Sequence, residues 1–293
     1  MGHVFLLQRY IFYYIIKMMS KIYIEKSSQK EKGKVYPAEQ AKISVFDVGF
    51  QRGIGVFETL RTYNGKFFKM DEHLNRLLES AQSLALDHSW SKSELEERMI
   101  TTLEKTNLDE ATCRIIITGG QDQGLMEPED PELVIIIKGL HEYPDSFYEE
   151  GVKTITVDAK REFPDAKALN YLVGYKSVRK ARAQDAHEAI YSHEGKVLEG
   201  TTSNLFAVKD NIIVTPAEGV LPGITRNFVI DIAEGYQVEK RALPLSALYS
   251  SDEVFLTSTH REILPVRQVD EHEISDGPGA VTKDLMEKFR ERT

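Results

Sequence analysis

Residues 43–65 read ISVFDVGFQRGIGVFETLRTYNG, and their pattern decides how the chain begins. KISVFDV (42–48) reads as a short strand. Gly49, Gly53 and Gly55 punctuate the turn after it, where glycine reaches backbone geometry closed to other residues. VFETLRTY (56–63) alternates apolar and polar residues at period two, and Asn64-Gly65 is a strong hairpin signal before the returning KFFK (66–69). From Asp71 the period turns helical, with Leu74, Leu77, Leu78, Ala81 and Leu84 on one stripe. Ser91 and Glu94 have the spacing of a capping box opening a second helix. CRIIIT (113–118) and ELVIIIK (132–138) are apolar runs suited to strands buried on both faces, separated by a polar loop from Gly119 to Asp130. Upstream, Lys21 to Lys34 reads as an exposed, lysine-rich turn region.

Beyond GLHEYPDSFY (139–148), which holds a domain boundary, KTITVD reads as a strand and residues 169–185 as a helix rich in Ala, Lys and Arg. EAIYS and NLFAVK (204–209) flank a turn at His193-Glu194-Gly195-Lys196. NIIVTP, a helix from Thr225 to about Gly235, EVFLTST (253–259) and an amphipathic helix over 280–291 complete an α/β second half. The elements do not alternate strictly, which disfavours a doubly wound sheet. We therefore divide the chain into an extension (1–20), a small N-terminal domain (21–141) and a larger C-terminal domain (142–293).

The 293 residues suffice for two modest domains. With 41% hydrophobic and 28% charged residues the composition is that of a folded soluble protein. A formal charge of −9 argues against nucleic acid as a partner, since a phosphate backbone asks for a positive face. The single cysteine, Cys113, excludes an internal disulfide and a cysteine-based zinc site, and fits a cytoplasmic location. No run approaches the roughly 18–20 apolar residues that span a bilayer, so no membrane partner is expected. MGHVFLLQRYIFYYIIKMMS admits three readings: translated upstream of a true start at Met18 or Met19, an interfacial anchor, or a helix packed on the body.

The chain has no G-x-G-x-x-G, Walker A, H-E-x-x-H or G-x-S-x-G motif, and no helical histidine pair, so no metal is expected. What it has are hydroxyl-rich turns punctuated by glycine: Glu199-Gly200-Thr201-Thr202-Ser203-Asn204, Leu221-Pro222-Gly223-Ile224-Thr225-Arg226 and Thr257-Ser258-Thr259. The middle turn opens a helix, whose first N–H groups suit a phosphate. Singly, such turns are ordinary.

In order, residues 43–65, DEHLNRL (71–77), DAKALNYL (165–172), LEGTTSNLF (198–206), LPGITR (221–226) and FLTSTHREILPV (255–266) resemble the class IV pyridoxal-phosphate aminotransferases. That family includes branched-chain aminotransferase, D-amino-acid aminotransferase and aminodeoxychorismate lyase. The resemblance covers roughly residues 35–290. It implies a two-domain α/β (α+β) fold of fold type IV, with a small N-terminal α/β domain and a larger C-terminal pseudo-barrel domain carrying the Schiff-base lysine. It also implies a homodimer, with pyridoxal 5'-phosphate at the domain interface.

The resemblance makes Lys167 the catalytic amine that holds the cofactor's aldehyde and moves a proton. Lys176 is the next candidate. Glu199 is placed to keep the ring nitrogen protonated, and Tyr171 to hydrogen-bond the ring oxygen. Arg76 lies off the leucine stripe, which alone would mean a solvated side chain; the resemblance sets its guanidinium on the phosphate. Gly223, the amides of Ile224 and Thr225, and the Ser258-Thr259 turn complete the phosphate site, with Thr202, Ser203 and Asn204 also on the cofactor. Phe57 is placed as an aromatic wall for substrate, Arg114 near a dicarboxylate partner, and Thr259-His260 at the α-carboxylate.

Three positions depart from the family pattern. Ile54 replaces a common acid, Arg52 an aromatic or neutral residue, and His260 a small or hydroxyl residue. Where D-amino-acid enzymes carry a carboxylate-trapping arginine, this chain has Gly119-Gly120. The function expected is amino transfer from a branched-chain L-amino acid to 2-oxoglutarate. The alternatives are a D-amino-acid aminotransferase, the lyase, or a non-catalytic binding protein that retains the fold.

Overall fold

The computed structural model describes residues 20–29, 31–122 and 127–293. The three readings of the N-terminal extension therefore fall, apart from Ser20, outside the described residues. Two compact units emerge among them: the described residues up to His141 with Ala166–Asn170, and Glu142–Asp165 with Tyr171–Thr293. The sequence reading kept residues 166–170 with the second half; here the segment bearing Lys167 belongs to the first unit.

The first unit is built on β1 (Lys21–Lys26), β2 (Lys34–Pro37), α1 (Val48–Arg52), β3 (Gly55–Tyr63), β4 (Lys66–Phe67), α2 (Met70–Ser83), α3 (Lys92–Glu104), β5 (Ala111–Thr118), β6 (Gln121–Asp122), β7 (Pro128–Glu129) and β8 (Glu132–Gly139). Its main sheet runs β2-β1-β8-β5-β3-β4, antiparallel throughout. Leu133, Ile135 and Ile137 of β8 and Cys113, Ile115 and Ile117 of β5 form a core with Leu74, Leu77 and Ala81 of α2 and Leu95 and Met99 of α3. Asn64 and Gly65 both take positive φ (51° and 75°), the mirror-image turn that matches strand twist. The capping box at Ser91 and Glu94 is present in full.

Two expectations fail here. Residues 42–48 do not form a strand; the chain enters α1, capped by the Asp47 carboxylate, which accepts from Gly49 N–H at 2.6 Å. Asp47 also accepts from the Thr118 hydroxyl at 2.6 Å, so a buried acid ties this turn to β5 where a strand would offer only ladder bonds. Lys21–Lys34 is not an exposed turn throughout: β1 pairs with β8 along its whole length. Its lysines mark the strand ends, while inward Glu25 is satisfied by Trp90 Nε1 at 2.8 Å and by Arg98.

The second unit contains α4 (Ser146–Glu149), β9 (Val152–Asp158), α5 (Leu172–Arg182), β10 (Glu188–His193), β11 (Lys196–Gly200), β12 (Asn204–Lys209), β13 (Ile212–Thr215), α6 (Ile224–Ile232), β14 (Gln237–Lys240), β15 (Leu243–Pro244), α7 (Leu245–Tyr249), β16 (Glu253–Ser258), β17 (Glu262–Val269), β18 (His272–Glu273) and α8 (Ala280–Glu291). The mixed sheet runs β14-β13-β12-β16-β17-β9-β10-β11-β15, with β18 on β17. Leu205 and Ala207 of β12 with Val254 and Leu256 of β16 line one buried face; Phe206 and Phe255 stack on the other, 4.8 Å between centroids. Both faces of the central strands are therefore covered, as their unbroken apolar runs require. The His193–Lys196 turn joins β10 to β11, a strand the sequence reading missed because LEG reads as the start of a loop.

Candidate active site

In the first unit, the segment around Lys167 runs beside β3. Phe57 N–H donates to Lys167 O at 2.9 Å, Leu169 N–H to Gly55 O at 2.9 Å, and Lys167 N–H to Ser80 Oγ of α2 at 3.2 Å. Gly55 permits this approach: at φ 156° a Cβ there would lie 2.7 Å from both Ile117 O and Leu169 Cδ1. The Lys167 amine sits 4.9 Å from the centroid of the Phe57 ring, and the Arg114 guanidinium 4.0 Å from the same centroid. Phe57 is thus a wall shared by two cations, within the range of cation–π attraction. Lys176 is exposed on α5 of the other unit.

Arg76 is not the solvated side chain that the stripe alone suggests. It is 6% exposed, and its Nε and Nη2 donate to the two oxygens of Glu58 at 2.6 and 2.9 Å. His73 Nδ1 meets the same carboxylate at 2.7 Å. Burial alone would raise Glu58; Arg76 and His73 beside it hold its carboxyl well below the usual carboxylate range. Burial pushes His73 down, against the pull of Glu58 and with help from Arg76 and Lys167.

In the second unit, Glu199 is 2% exposed at the end of β11. Its Oε1 accepts from Arg161 Nε at 2.5 Å, and its Oε2 from Asn204 Nδ2 at 3.3 Å and Leu221 N–H at 3.1 Å. Arg161 Nη2 also lies 3.5 Å from the Tyr171 hydroxyl, and Tyr171 is the N-cap of α5. Burial works against the Arg161 charge, and Glu199 and Tyr171 outweigh it, raising the arginine above its ordinary value. Glu199 therefore faces a fixed cation at hydrogen-bond distance.

Thr202 and Ser203 are engaged within the protein. Glu188 accepts from Thr202 N–H at 2.5 Å and from the hydroxyls of Thr201, Thr202 and Ser203 at 2.9, 3.0 and 3.1 Å. Arg261 Nη1 pairs with Glu188 at 2.6 Å, while its other nitrogens reach Thr202 Oγ1 at 2.8 Å and Ser258 Oγ at 3.0 Å. One buried ion pair thus ties the 201–203 turn to the Ser258-Thr259 turn. Thr259 and His260, partly exposed, form the bend between β16 and β17. Asn204 Nδ2 also donates to Leu221 O at 2.8 Å, holding the loop that delivers Gly223 to the start of α6.

Glu58, His73, Arg161, Glu188 and Arg261 escaped the sequence reading. A signal existed for Glu58: in VFETLRTY it falls at the same parity as Val56 and Leu60, so a carboxylate occupies a core position and demands a cationic partner. Arg161, Glu188 and Arg261 lie beside motifs with no periodic mark of their own.

The first unit thus offers an amine on an aromatic wall, and the second a carboxylate facing an arginine and hydroxyl-rich turns beside a helix N-terminus. The pattern of amino-transferase class IV matches residues 55–269. A Methanocaldococcus jannaschii protein named provisionally as a branched-chain-amino-acid aminotransferase is 37% identical over 88% of this chain and 94% of its own. D-alanine aminotransferase of Bacillus licheniformis is 33% identical over 87% and 93%. The branched-chain amino acid aminotransferase of T.th., solved with pyridoxamine 5'-phosphate, superposes with a TM-score of 0.85 at 29% identity over 92% and 93%. The chain belongs to the class IV aminotransferases, enzymes of fold type IV that depend on pyridoxal 5'-phosphate and move amino groups between amino acids and 2-oxo acids.

The donor set fits that cofactor. Gly223, the N-cap of α6, makes no side-chain cap hydrogen bond, so the N-cap residue itself leaves the first-turn amides of Ile224 and Thr225 to an anion. Among the described residues no group of acids, histidines or cysteines could hold a metal ion, and no helix is long and apolar enough to cross a membrane.

Proposed function

We propose that this enzyme transfers the amino group of a branched-chain L-amino acid to 2-oxoglutarate. The observation that carries the reading is the shape at Gly119-Gly120. A Cβ on Gly120 (φ 80°) would lie 2.2 Å from Glu129 O, and one on Gly119 would lie 2.6 Å from Val48 Cγ2. No arginine fits where a D-amino-acid enzyme would need its carboxylate trap. Arg114, held against Phe57, is the cation we assign to the γ-carboxylate of glutamate.

When bound, pyridoxal 5'-phosphate withdraws electrons from the amino acid and makes its Cα–H acidic. The chain's own residues do the rest. The Lys167 amine takes the proton from Cα and returns it on the acceptor side. Glu199 holds the proton on the ring nitrogen, and Tyr171 donates to the ring oxygen. Arg76, the amides of Ile224 and Thr225, and the Ser258-Thr259 turn bind the phosphate. Gly223 and Asn204 shape that turn, and Thr202 and Ser203 brace it through Glu188 and Arg261. Phe57 walls the substrate, and the Thr259-His260 amides take its α-carboxylate.

The reading includes a homodimer and a cytoplasmic location. In the first unit, Ile22, Ile24, Ile116, Val134 and Ile136 line an apolar cleft of about 300 Å³ on the sheet face opposite α2 and α3, together with exposed Phe50 of α1. Such a patch suits a second copy. The one cysteine is buried and free, in keeping with a reducing compartment. The test is turnover with a panel of amino donors and 2-oxoglutarate or pyruvate as acceptor. Leucine, isoleucine and valine should serve with 2-oxoglutarate; robust turnover of D-alanine with none of L-leucine or L-isoleucine would overturn the substrate assignment. A monomer in sedimentation at micromolar concentration would overturn the dimer.

A further inference from the structure

Val56, Glu58, Leu60 and Thr62 share one face of β3, and each is 0% exposed. A carboxylate among such neighbours is costly unless paired, and an apolar residue of similar volume would avoid the cost. The pairing is elaborate. The Nε–Nη2 edge of Arg76 meets both Glu58 oxygens, and His73 closes on Oε2. His73, Arg76 and Ser80 fall at i, i+3 and i+7 of α2, one helical face. Ser80 Oγ holds the Lys167 amide, and Phe57, the residue before Glu58, holds the Lys167 carbonyl. Adjacent residues of β3 thus fix the backbone of Lys167 and the guanidinium of Arg76. With His73 neutral, the cluster carries one anion and one cation and no net charge.

We propose that Glu58 is a positioning residue for phosphate recognition: with His73 bracing it, Glu58 clamps one edge of Arg76 and so sets the plane and reach of the guanidinium before the anion arrives. The inference rests on the assignment of Arg76 to the cofactor phosphate and goes beyond it by naming what orients that arginine. An unclamped arginine loses rotamer freedom on binding; a clamped one has already lost it. The carboxylate also offsets the arginine's charge while the phosphate is absent, so the buried cation is never left alone.

The test is equilibrium binding of pyridoxamine 5'-phosphate and of pyridoxamine to the full-length, cofactor-stripped chain, read by fluorescence. The ratio of the two dissociation constants isolates phosphate recognition from ring recognition and from Lys167 chemistry. Glu58→Gln should cut the preference for the phosphorylated ligand roughly tenfold, as loss of a partner that orients a ligating group does elsewhere, and leave pyridoxamine binding unchanged. Glu58→Asp keeps the charge but withdraws it by one methylene; it should lose preference in the same direction, and carries the test if the glutamine variant does not fold. In an Arg76→Met background the Glu58 substitution should have no further effect. If Arg76→Met abolishes the preference and both Glu58 variants retain it, or if they weaken both ligands equally, the positioning role is overturned. If Arg76→Met itself leaves the preference intact, the assignment of Arg76 to the phosphate falls, and the inference with it.

Discussion

Replacing Arg261 by Met keeps much of the side chain's volume and removes its charge, which makes the Glu188–Arg261 pair a sharp test of what holds the second unit's turns. Arg261 is 6% exposed and Glu188 2%. In the variant Glu188 keeps the hydroxyls of Thr201, Thr202 and Ser203 and the Thr202 amide, but loses its cation at 2.6 Å. Breaking a buried pair by removing one partner costs about 3–5 kcal/mol, and four surviving donors argue for the lower end, about 3 kcal/mol. At a urea slope of roughly 1–3 kcal/mol per molar, the unfolding midpoint should fall by about 1–3 M. The sign of the pH dependence follows from the folded state. Burial opposes the Glu188 charge, but Arg261 and the turn donors outweigh it and hold the carboxyl below its ordinary value. Its contribution is therefore complete above the unfolded value and is lost only as pH falls through the depressed folded one. Without Arg261, burial pushes the carboxyl up, so the variant takes up a proton earlier and escapes its penalty. The deficit should shrink between pH 7 and about pH 5. A midpoint shift below about 0.5 M, or a deficit equal at both pH values, would refute the reasoning.

Other perturbations probe the proposed chemistry. Lys167→Ala should abolish transamination and the visible absorbance of the covalently held cofactor, with circular dichroism unchanged; normal turnover would move the role to another lysine. Glu199→Gln should retain cofactor and lower kcat by about two decades or more, since only a protonated ring is a strong electron sink; a kcat equal to wild type would remove Glu199 from the site. Arg114→Ala should impair the half-reaction with glutamate far more than that with leucine. Loss of a charge-assisted partner is worth about 1.5–3 kcal/mol, or one to two decades in kcat/KM, and equal losses for both substrates would count against a γ-carboxylate contact.

The parts of the fold that could be read in advance are those with local causes. The Asn64-Gly65 hairpin, the α2 leucine stripe and the Ser91 box each need only a few neighbouring residues. Residues 42–48 could not be read this way, because their alternation is that of a strand while the deciding interaction, Asp47 with Thr118, spans 71 positions. The site divides along the same line. Lys167, Glu199 and Arg76 could be proposed from ordered motifs, yet nothing local announces that Glu58, 18 positions before Arg76, engages it, or that Arg161, 38 positions before Glu199, caps that acid. Charged residues at core parity are the trace such partnerships leave in a sequence.

The short run Ala166–Asn170 also bears on the order in which the protein is made. β3 leaves the ribosome about a hundred residues before the segment that bonds to Gly55 and Phe57, so the first unit stays incomplete until all of β9 and the loop after it have been translated. Its hairpins and helices can form early, because their contacts are short-range. Closing the Lys167 segment onto β3 pays the entropy of a long loop, and that cost grows only slowly with length. Lys167, the amine we propose as catalytic, is thus among the last pieces of its unit to be installed, and on that proposal a truncated nascent chain can be folded there without being chemically armed.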